Sequence, residues 1–395
     1  MSVSAAAPPT FADLFGGDMV EGVDDPWPVY SRLRKESPVL AVAGLGKTIY
    51  LVSCYDDVRE ALRDDATFSN RSNATGISLV MGRTIVEMDG AEHLRHRNLV
   101  TPALAPRALK GDFPEIVASI AHDLVDDFVA EGRADLVKSF TFSYPLRVFT
   151  RILGLPVEDY DRVHRWGIDI TRVAQDPASG LDASRLLGDY LRPVVEKRRS
   201  DPTDDLISRL VQAEVDGHHL EDEEVISFLR LLVLAGAETT YHLIGSALFG
   251  LLSQPEDLEA LRADRSLLRP VLDEGLRWES PVQIVTRETT RAIELHGVAI
   301  PAGSTMILGV GSANRDPAHF ADPDRFDIAR RPEDHIAFGL GKHYCAGSRL
   351  AYLEAEVALE VLLDRLPNLR LDPTEPCGVV GLAFRGPDRL PVRFG

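Results

Sequence analysis

Phe338-Gly339-Leu340-Gly341-Lys342-His343-Tyr344-Cys345-Ala346-Gly347 is the most informative stretch of this 395-residue chain. Gly339 and Gly341 permit backbone conformations closed to other residues and let the chain lie close against a flat ligand. Cys345 then stands at the entry of a helix predicted over about 346–366, whose inner face would be Leu350, Leu353, Val357 and Val361. Free N–H groups at a helix N-terminus stabilise a thiolate and lower its pKa, as an anionic metal ligand requires. A lone cysteine is more often a small buried hydrophobe. The surrounding loop is what sets this one apart.

Outward from that loop, the sequence alternates between long helical runs and a small amount of strand. Val39 to Val42 and Ile49 to Ser53 form a strand-like pair joined by residues 44–47. From Asp56 to about Arg265 the pattern is mainly helical, broken at Pro102, Pro106, Gly132, Pro145, Gly154 to Pro156, Pro177 and Pro202. Residues 69–88 are its least regular part. The longest and most apolar helix is predicted over about 222–253 and should run through the centre. A shorter helix follows over 266–278. Residues 284–310 turn to β-branched runs punctuated by His296-Gly297 and Pro301-Ala302-Gly303, which predicts a small sheet. A Pro-rich meander, 314–332, leads to the cysteine loop. No repeat or linker divides the chain. A loose tail over residues 1–20 and one large domain over 21–395, mainly α with a small β part, are expected.

Composition narrows the function. The formal charge of −18 repels phosphate backbones, so nucleic acid is not an expected partner. Cys54, Cys345 and Cys377 lack paired spacing, which excludes a disulfide framework, a zinc site and the four ligands of an ordinary iron–sulfur cluster. They fit a reducing cytoplasm. No basic region followed by an apolar run opens the chain, so a signal peptide is not expected. The apolar segment 228–252 contains Arg230, Glu238, Thr239, Thr240 and His242 and reads as a buried helix rather than a membrane anchor. Gly44-Leu45-Gly46-Lys47-Thr48 hints at a phosphate loop, but the required first glycine is Ala41 and a strand follows.

The cysteine loop resembles the haem-binding signature of the cytochrome P450 family, Phe-Gly-x-Gly-x-His/Arg-x-Cys-x-Gly, with every fixed position met. The resemblance implies a cytochrome P450 fold in which Cys345 is the axial ligand of haem b (iron protoporphyrin IX), cradled by Phe338, Gly339 and Gly347. A thiolate opposite the open position pushes electron density toward dioxygen and favours O–O cleavage.

Further residues match in register. Glu274 and Arg277 share a helical face and can pair; alone such a pair is usually a surface feature. The family joins it to an arginine of the meander, here Arg325 of Pro323-Asp324-Arg325-Phe326. In Ala235-Gly236-Ala237-Glu238-Thr239-Thr240, Gly236 would thin the helix wall, and the Thr239 hydroxyl can bond a carbonyl one turn back. Back-bonding with a snorkelling Glu238 explains the hexapeptide equally well. The resemblance instead gives Thr239 a hydrogen bond to dioxygen and Glu238 the proton relay. His93 and Arg97, at i and i+4, and Arg287 and His343 correspond to partners of the haem propionates. His96 competes with His93 for that role, and a solvated surface charge is the alternative reading for any one basic residue.

The implied activity is monooxygenation of a lipophilic small molecule such as a terpenoid, steroid, fatty acid or aromatic compound, by hydroxylation or epoxidation. With no flavin domain or cluster in the chain, two electrons would come from a ferredoxin and its reductase. They would dock on some of Arg95, Arg107, Lys110, Lys342 and Arg349. A peroxide-driven peroxygenase and a non-catalytic haem-thiolate sensor are the rival readings. Family geometry points to pocket walls at Ile77, Val80, Val86, Leu231, Leu234, Ala235, Val282, Ile284, Val285 and Leu382, for all of which core packing is the alternative. A monomer without a membrane anchor is expected.

Overall fold

A computed structural model describes residues 7–17, 23–44, 46–104, 113–171, 173 and 176–395. The chain folds into two compact units, each assembled from separated segments. The first comprises residues 1–72, 249–344 and 377–388; the second comprises 73–248, 345–376 and 389–395. The architecture is mainly helical with small sheets, as expected.

The first unit holds a five-stranded sheet, in the order Val39–Gly44, Lys47–Val52, Thr305–Gly309, Ile284–Thr289 and Phe68–Ser69. All neighbours are antiparallel except Thr305–Gly309 beside Lys47–Val52. Thr305–Gly309 is buried along its whole length, as a central strand covered on both faces should be. One core cluster packs Val52, Val58, Met306 and Phe320; another packs Phe15, Tyr30, Val42, Ile284 and Leu382.

Part of the expected loose tail is ordered. Thr10 caps a helix Phe11–Phe15 through a reciprocal bond pattern with Asp13, and Phe11 and Phe15, at i and i+4, are buried. The Phe15 ring meets Tyr30 edge-on at 5.2 Å between centroids. Residues 1–6 and 18–22 lie outside the described residues.

The meander has no regular strand, so its backbone must find other partners. Arg277 supplies them. With Glu274 it is wholly buried at 0% exposure, and the two carboxylate–guanidinium bonds measure 2.7 and 2.8 Å. Arg277 also donates to the carbonyls of Asn314, Pro323 and Arg325 at 3.0, 2.8 and 3.1 Å. The side chain of the third partner is not Arg325, which points to solvent, but Arg330, whose Nε lies 3.4 Å from Glu274 Oε1. The reason is geometric. Phe326 and Ile328 turn inward, Asp327 N–H donates to Glu274 at 2.8 Å, and the irregular turn brings Arg330 back to the carboxylate. A second buried network, unread in the sequence, joins Glu279 to Arg315 and Arg385 at 2.7 Å each. Arg315 stacks on Trp27 at 3.7 Å.

The second unit is helical around residues 222–248 of the helix Asp222–Leu252, with a small sheet in the order Arg370–Leu371, Pro391–Arg393 and Arg133–Asp135. By length and composition Asp222–Leu252 is apolar enough to cross a membrane, yet 67% of its most apolar window is buried inside the protein. Helix Tyr144–Leu153 is tied to the last helix, Ser348–Arg365, by the Tyr144 hydroxyl, which donates to the Glu354 carbonyl at 3.1 Å.

Removing one partner of a buried ion pair leaves an uncompensated charge, at about 3–5 kcal/mol. Glu274→Ala should therefore lower the urea unfolding free energy by that amount. Arg330→Ala should cost less, and Arg325→Ala least of all; the reverse order for the two arginines would restore Arg325 as the partner.

Candidate active site

Cys345 is a half-buried free thiol just before helix Ser348–Arg365. Burial pushes its pKa up, while the backbone N–H groups of Gly347 and Ser348 and the charge of Arg97 pull it down. Those are the donors that a sulfur needs if it is to stay anionic away from water. Arg97 is itself desolvated, which lowers its pKa, and it feels Cys345 as its compensating charge.

Arg97 shares a helix, Gly90–Val100, with His93 and His96. His96 is committed elsewhere: its Nε2 meets Glu224 Oε1 at 2.9 Å and its Nδ1 lies 2.9 Å from the Glu92 carbonyl. His93, buried at 1% exposure, is the one that falls on the Arg97 face.

In the first unit, Phe338 packs its ring near Tyr344 and His335. Gly339 and Gly341 both adopt positive φ, 70° and 67°. At Gly341 a Cβ would stand 3.2 Å from the Leu62 carbonyl oxygen and 3.3 Å from the Arg63 Cα, so backbone blocks any larger residue. His343 is half-buried in the turn Gly341–His343. Arg287 is buried on strand Ile284–Thr289 and donates to the Thr286 carbonyl at 2.7 Å. Lys342 pairs with Asp65 at 2.9 Å, Arg95 and Arg349 are exposed, and Arg107 and Lys110 lie outside the described residues.

On the central helix, Thr239 Oγ1 donates to the Ala235 carbonyl at 2.7 Å, the back-bond anticipated from sequence. Glu238 does not snorkel to water. Burial raises its pKa to about 7, and its Oε2 has no hydrogen-bond partner. Gly236 has a role other than opening the wall. A Cβ there would come within 3.1 Å of the Phe149 ring, so the glycine admits close packing by helix Tyr144–Leu153. Glu354, overlooked in the sequence because it sits among apolar helix positions, is wholly buried with its carboxyl pushed well above the ordinary range.

The expected pocket walls divide. Leu382 at 0% exposure and Ile284 at 9% belong to the core with Phe15 and Tyr30, and Val80 at 1% is enclosed, so none of the three is an open wall. Strand alternation turns Ile284 inward, and Leu382 follows Gly381, whose N–H bonds the Val23 carbonyl. Leu231 and Leu234 are also buried; Ile77, Val86, Val282 and Val285 are half-buried, and Ala235 is exposed. Val80 is held by Ser184, whose hydroxyl donates to its carbonyl, and Arg230 Nε donates to the Ser184 carbonyl at 3.1 Å.

Cys345 with its N–H donors, a neighbouring guanidinium and a buried imidazole form a donor set that fits the iron and acidic edge of a haem. A cytochrome P450 family profile matches residues 8–154 and 181–373. Cytochrome P450 monooxygenase PikC of Streptomyces venezuelae is 37% identical over 381 residues, covering 94% of this chain and 91% of that protein. The mycinamicin IV hydroxylase/epoxidase of Micromonospora griseorubida is 36% identical over 376 residues, covering 92% and 94%. Among solved structures, CYP109E1 of Bacillus megaterium in complex with testosterone gives a TM-score of 0.85 at 32% identity, covering 94% of this chain and 99% of that one.

Gly341→Ala should cost roughly 1–3 kcal/mol, since a side chain at positive φ against fixed backbone strains the loop; thermal unfolding and haem content should fall together. Glu238 binds its proton more tightly folded than unfolded, its pKa rising from 4.5 to about 7. Its contribution to stability is therefore present at low pH and lost as pH rises through about 7. Glu238→Gln should stabilise the protein at pH 8, by up to about 3 kcal/mol, and change little at pH 4. Urea unfolding at the two values measures the difference.

Proposed function

This chain belongs to the cytochrome P450 family and is a monooxygenase of it, and we propose that it hydroxylates or epoxidises a bulky lipophilic molecule. Cys345 carries the reading: burial raises its pKa overall, so the sulfur would turn anionic only against a cation such as iron, and two N–H donors and a guanidinium stand beside it to support that charge. The family implies haem as cofactor and dioxygen as oxidant. Haem b is the form proposed, since the chain has no Cys-x-x-Cys-His for covalent attachment. Cys345 would ligate the iron, Phe338, Gly339 and Gly347 would line the loop, and His93, Arg97, Arg287 and His343 would meet the propionates. Haem, when bound, supplies the activation of dioxygen.

The chain's own contribution is to manage protons. At neutral pH Glu238 is near its midpoint, so it holds a proton and can release it without a large penalty. Thr239 lends its hydroxyl oxygen as an acceptor and its proton as a donor once the bond to the Ala235 carbonyl is given up. The overall reaction consumes one dioxygen, two electrons and two protons, placing one oxygen atom in the substrate and the other in water. A ferredoxin and its reductase are the proposed electron source, with exposed Arg95 and Arg349 among the docking charges. Three cysteines without a disulfide suit a reducing cytoplasm.

Two things support a bulky lipophilic substrate. The mycinamicin relative is named a hydroxylase/epoxidase, and the Bacillus megaterium structure holds testosterone. In this chain the candidate wall residues Ile77, Val86, Ala235, Val282 and Val285 carry no charge. A steroid- or polyketide-sized compound is favoured over a small polar one.

The reduced, carbon-monoxide-treated protein should show the red-shifted Soret band of a thiolate-ligated haem, and Cys345→Ser should abolish it. Survival of the band in the variant overturns the assignment. Thr239→Ala should bind ligand normally but yield about tenfold less product per electron pair, with peroxide released instead. Undiminished product with the ferredoxin system, or full activity from peroxide alone in the parent, would remove the proton-relay role.

A further inference from the structure

The helix Ser78–Met81 has only four residues, and a single turn does not hold itself in water. Its place is set from outside, by two longer helices of the same unit: Pro177–Ser200 and the 222–248 part of Asp222–Leu252. The Ser184 hydroxyl donates to the Val80 carbonyl. At the end of the turn, Gly82 has a φ of 80°, and a Cβ there would stand 2.3 Å from the buried Ser227 hydroxyl oxygen. Both the φ and the contact disfavour any larger residue.

One guanidinium joins those two helices. Arg230 is only 9% exposed, and a charge so enclosed is costly unless it is paired and hydrogen-bonded. Its Nε donates to the Ser184 carbonyl and its Nη1 to Glu223 Oε1, each at 3.1 Å. Ser184 is thus engaged at both ends, by Arg230 through its carbonyl and by Val80 through its hydroxyl. The slot for the guanidinium is made by Gly188, where a Cβ would come within 1.9 Å of Arg230 Nη2. Glycine is unfavourable inside a helix, so its presence there needs a reason, and this close approach supplies one. Glu223 also accepts from Arg192 at 3.0 Å, but both of those side chains are exposed and such a pair holds little. The buried end is where the hold lies.

We infer that Arg230 is a positioning residue for substrate selection: through Ser184 it pins the turn 78–82, and with it the flanking wall candidates Ile77 and Val86. The inference rests on the reading of those two residues as walls of a pocket for bulky ligands, and adds what holds them still. The Ile77 carbonyl accepts from the N–H groups of Val80 and Met81 at 3.2 Å each, which fastens Ile77 to the turn. The Asn73 side-chain amide donates to the Val86 carbonyl at 3.1 Å, which ties the two ends of the segment together. A bulky ligand needs this wall in place, and its apparent affinity falls with the fraction of molecules in which the wall is displaced. A small ligand held by its bond to iron has no such need. The preference for large over small ligands is thereby set by a residue outside the wall.

Hydrogen exchange of the haem-loaded protein, with titration by two iron-ligating probes, small imidazole and bulky clotrimazole, tests this. In the parent the amides of 78–82 should exchange slowly, and clotrimazole should bind more tightly than imidazole. Arg230→Met fills the slot without hydrogen bonds; it should speed exchange over 77–86 about tenfold and weaken clotrimazole about tenfold, with imidazole unchanged. Arg230→Lys, which keeps the charge beside Glu223, should fall between. Gly188→Ala leaves every hydrogen-bonding group in place and favours the helix, yet its methyl displaces the guanidinium, so it should reproduce Arg230→Met. Unchanged exchange at 78–82 in both Arg230→Met and Gly188→Ala overturns the clasp. Equal weakening of the two probes assigns Arg230 to the fold and not to selection. Faster exchange with both affinities unchanged shows that the pinned turn does not shape the pocket, which overturns the inference. A parent that binds imidazole but not clotrimazole refutes instead the bulky-ligand reading beneath it.

Discussion

An anion must be kept in a place that disfavours anions. To serve as an iron ligand the half-buried Cys345 would have to ionise, yet burial raises its pKa overall and favours the neutral thiol. The opposing forces are local and directional: two N–H groups at the start of helix Ser348–Arg365, and the guanidinium of Arg97. The N–H groups exist because a helix begins there, and the helix begins there because the glycines before it release the chain from strand-like geometry. A change of loop conformation would remove the donors without touching the sulfur. Hence Gly341, hemmed by the Leu62 and Arg63 backbone, matters to a residue four positions away.

A similar logic governs the meander. Irregular backbone is viable only where something replaces the ladder of a sheet, and here one guanidinium serves three carbonyls while its carboxylate partner accepts a backbone N–H from Asp327. The Glu274–Arg277 pair is thus more than two charges neutralising each other. Desolvating it is expensive, and the return is a unique path for a segment with no regular structure. The Glu279–Arg315–Arg385 network does comparable service, with Trp27 covering the Arg315 guanidinium.

What was legible in the sequence follows from range. The cysteine loop, the long central helix and the hairpin at 39–52 are encoded locally, in turn residues and periodicity, and they stand as expected. Thr239 back-bonding was likewise a matter of one helical turn. Partners set by tertiary path were not legible. Arg325 and Arg330 are equally plausible in a string of letters, and only the turn of the meander decides between them. Leu382 and Ile284 looked like pocket walls because apolar residues serve cores and pockets alike. The helix at 11–15 was available locally, in the Thr10–Asp13 capping pair and the spacing of Phe11 and Phe15, and was overlooked in a stretch that otherwise resembles a tail.

The central helix must satisfy two demands that pull against each other. Its length and apolar character let it be buried through its unit, and burial makes any polar side chain on it costly. Yet Glu238, His242 and Ser246 are all there. Burial resolves part of the conflict by reducing their charge: the carboxyl is pushed up to about 7 and the imidazole down to about 3, so at neutral pH the imidazole is uncharged and the carboxyl only about half ionised. A carboxyl at its midpoint is a useful proton source, because gaining and losing the proton are nearly balanced. The same desolvation that makes Glu238 a burden to the fold is what tunes it for chemistry. A solvated carboxylate at that position would be cheaper to build and would hold no proton at pH 7.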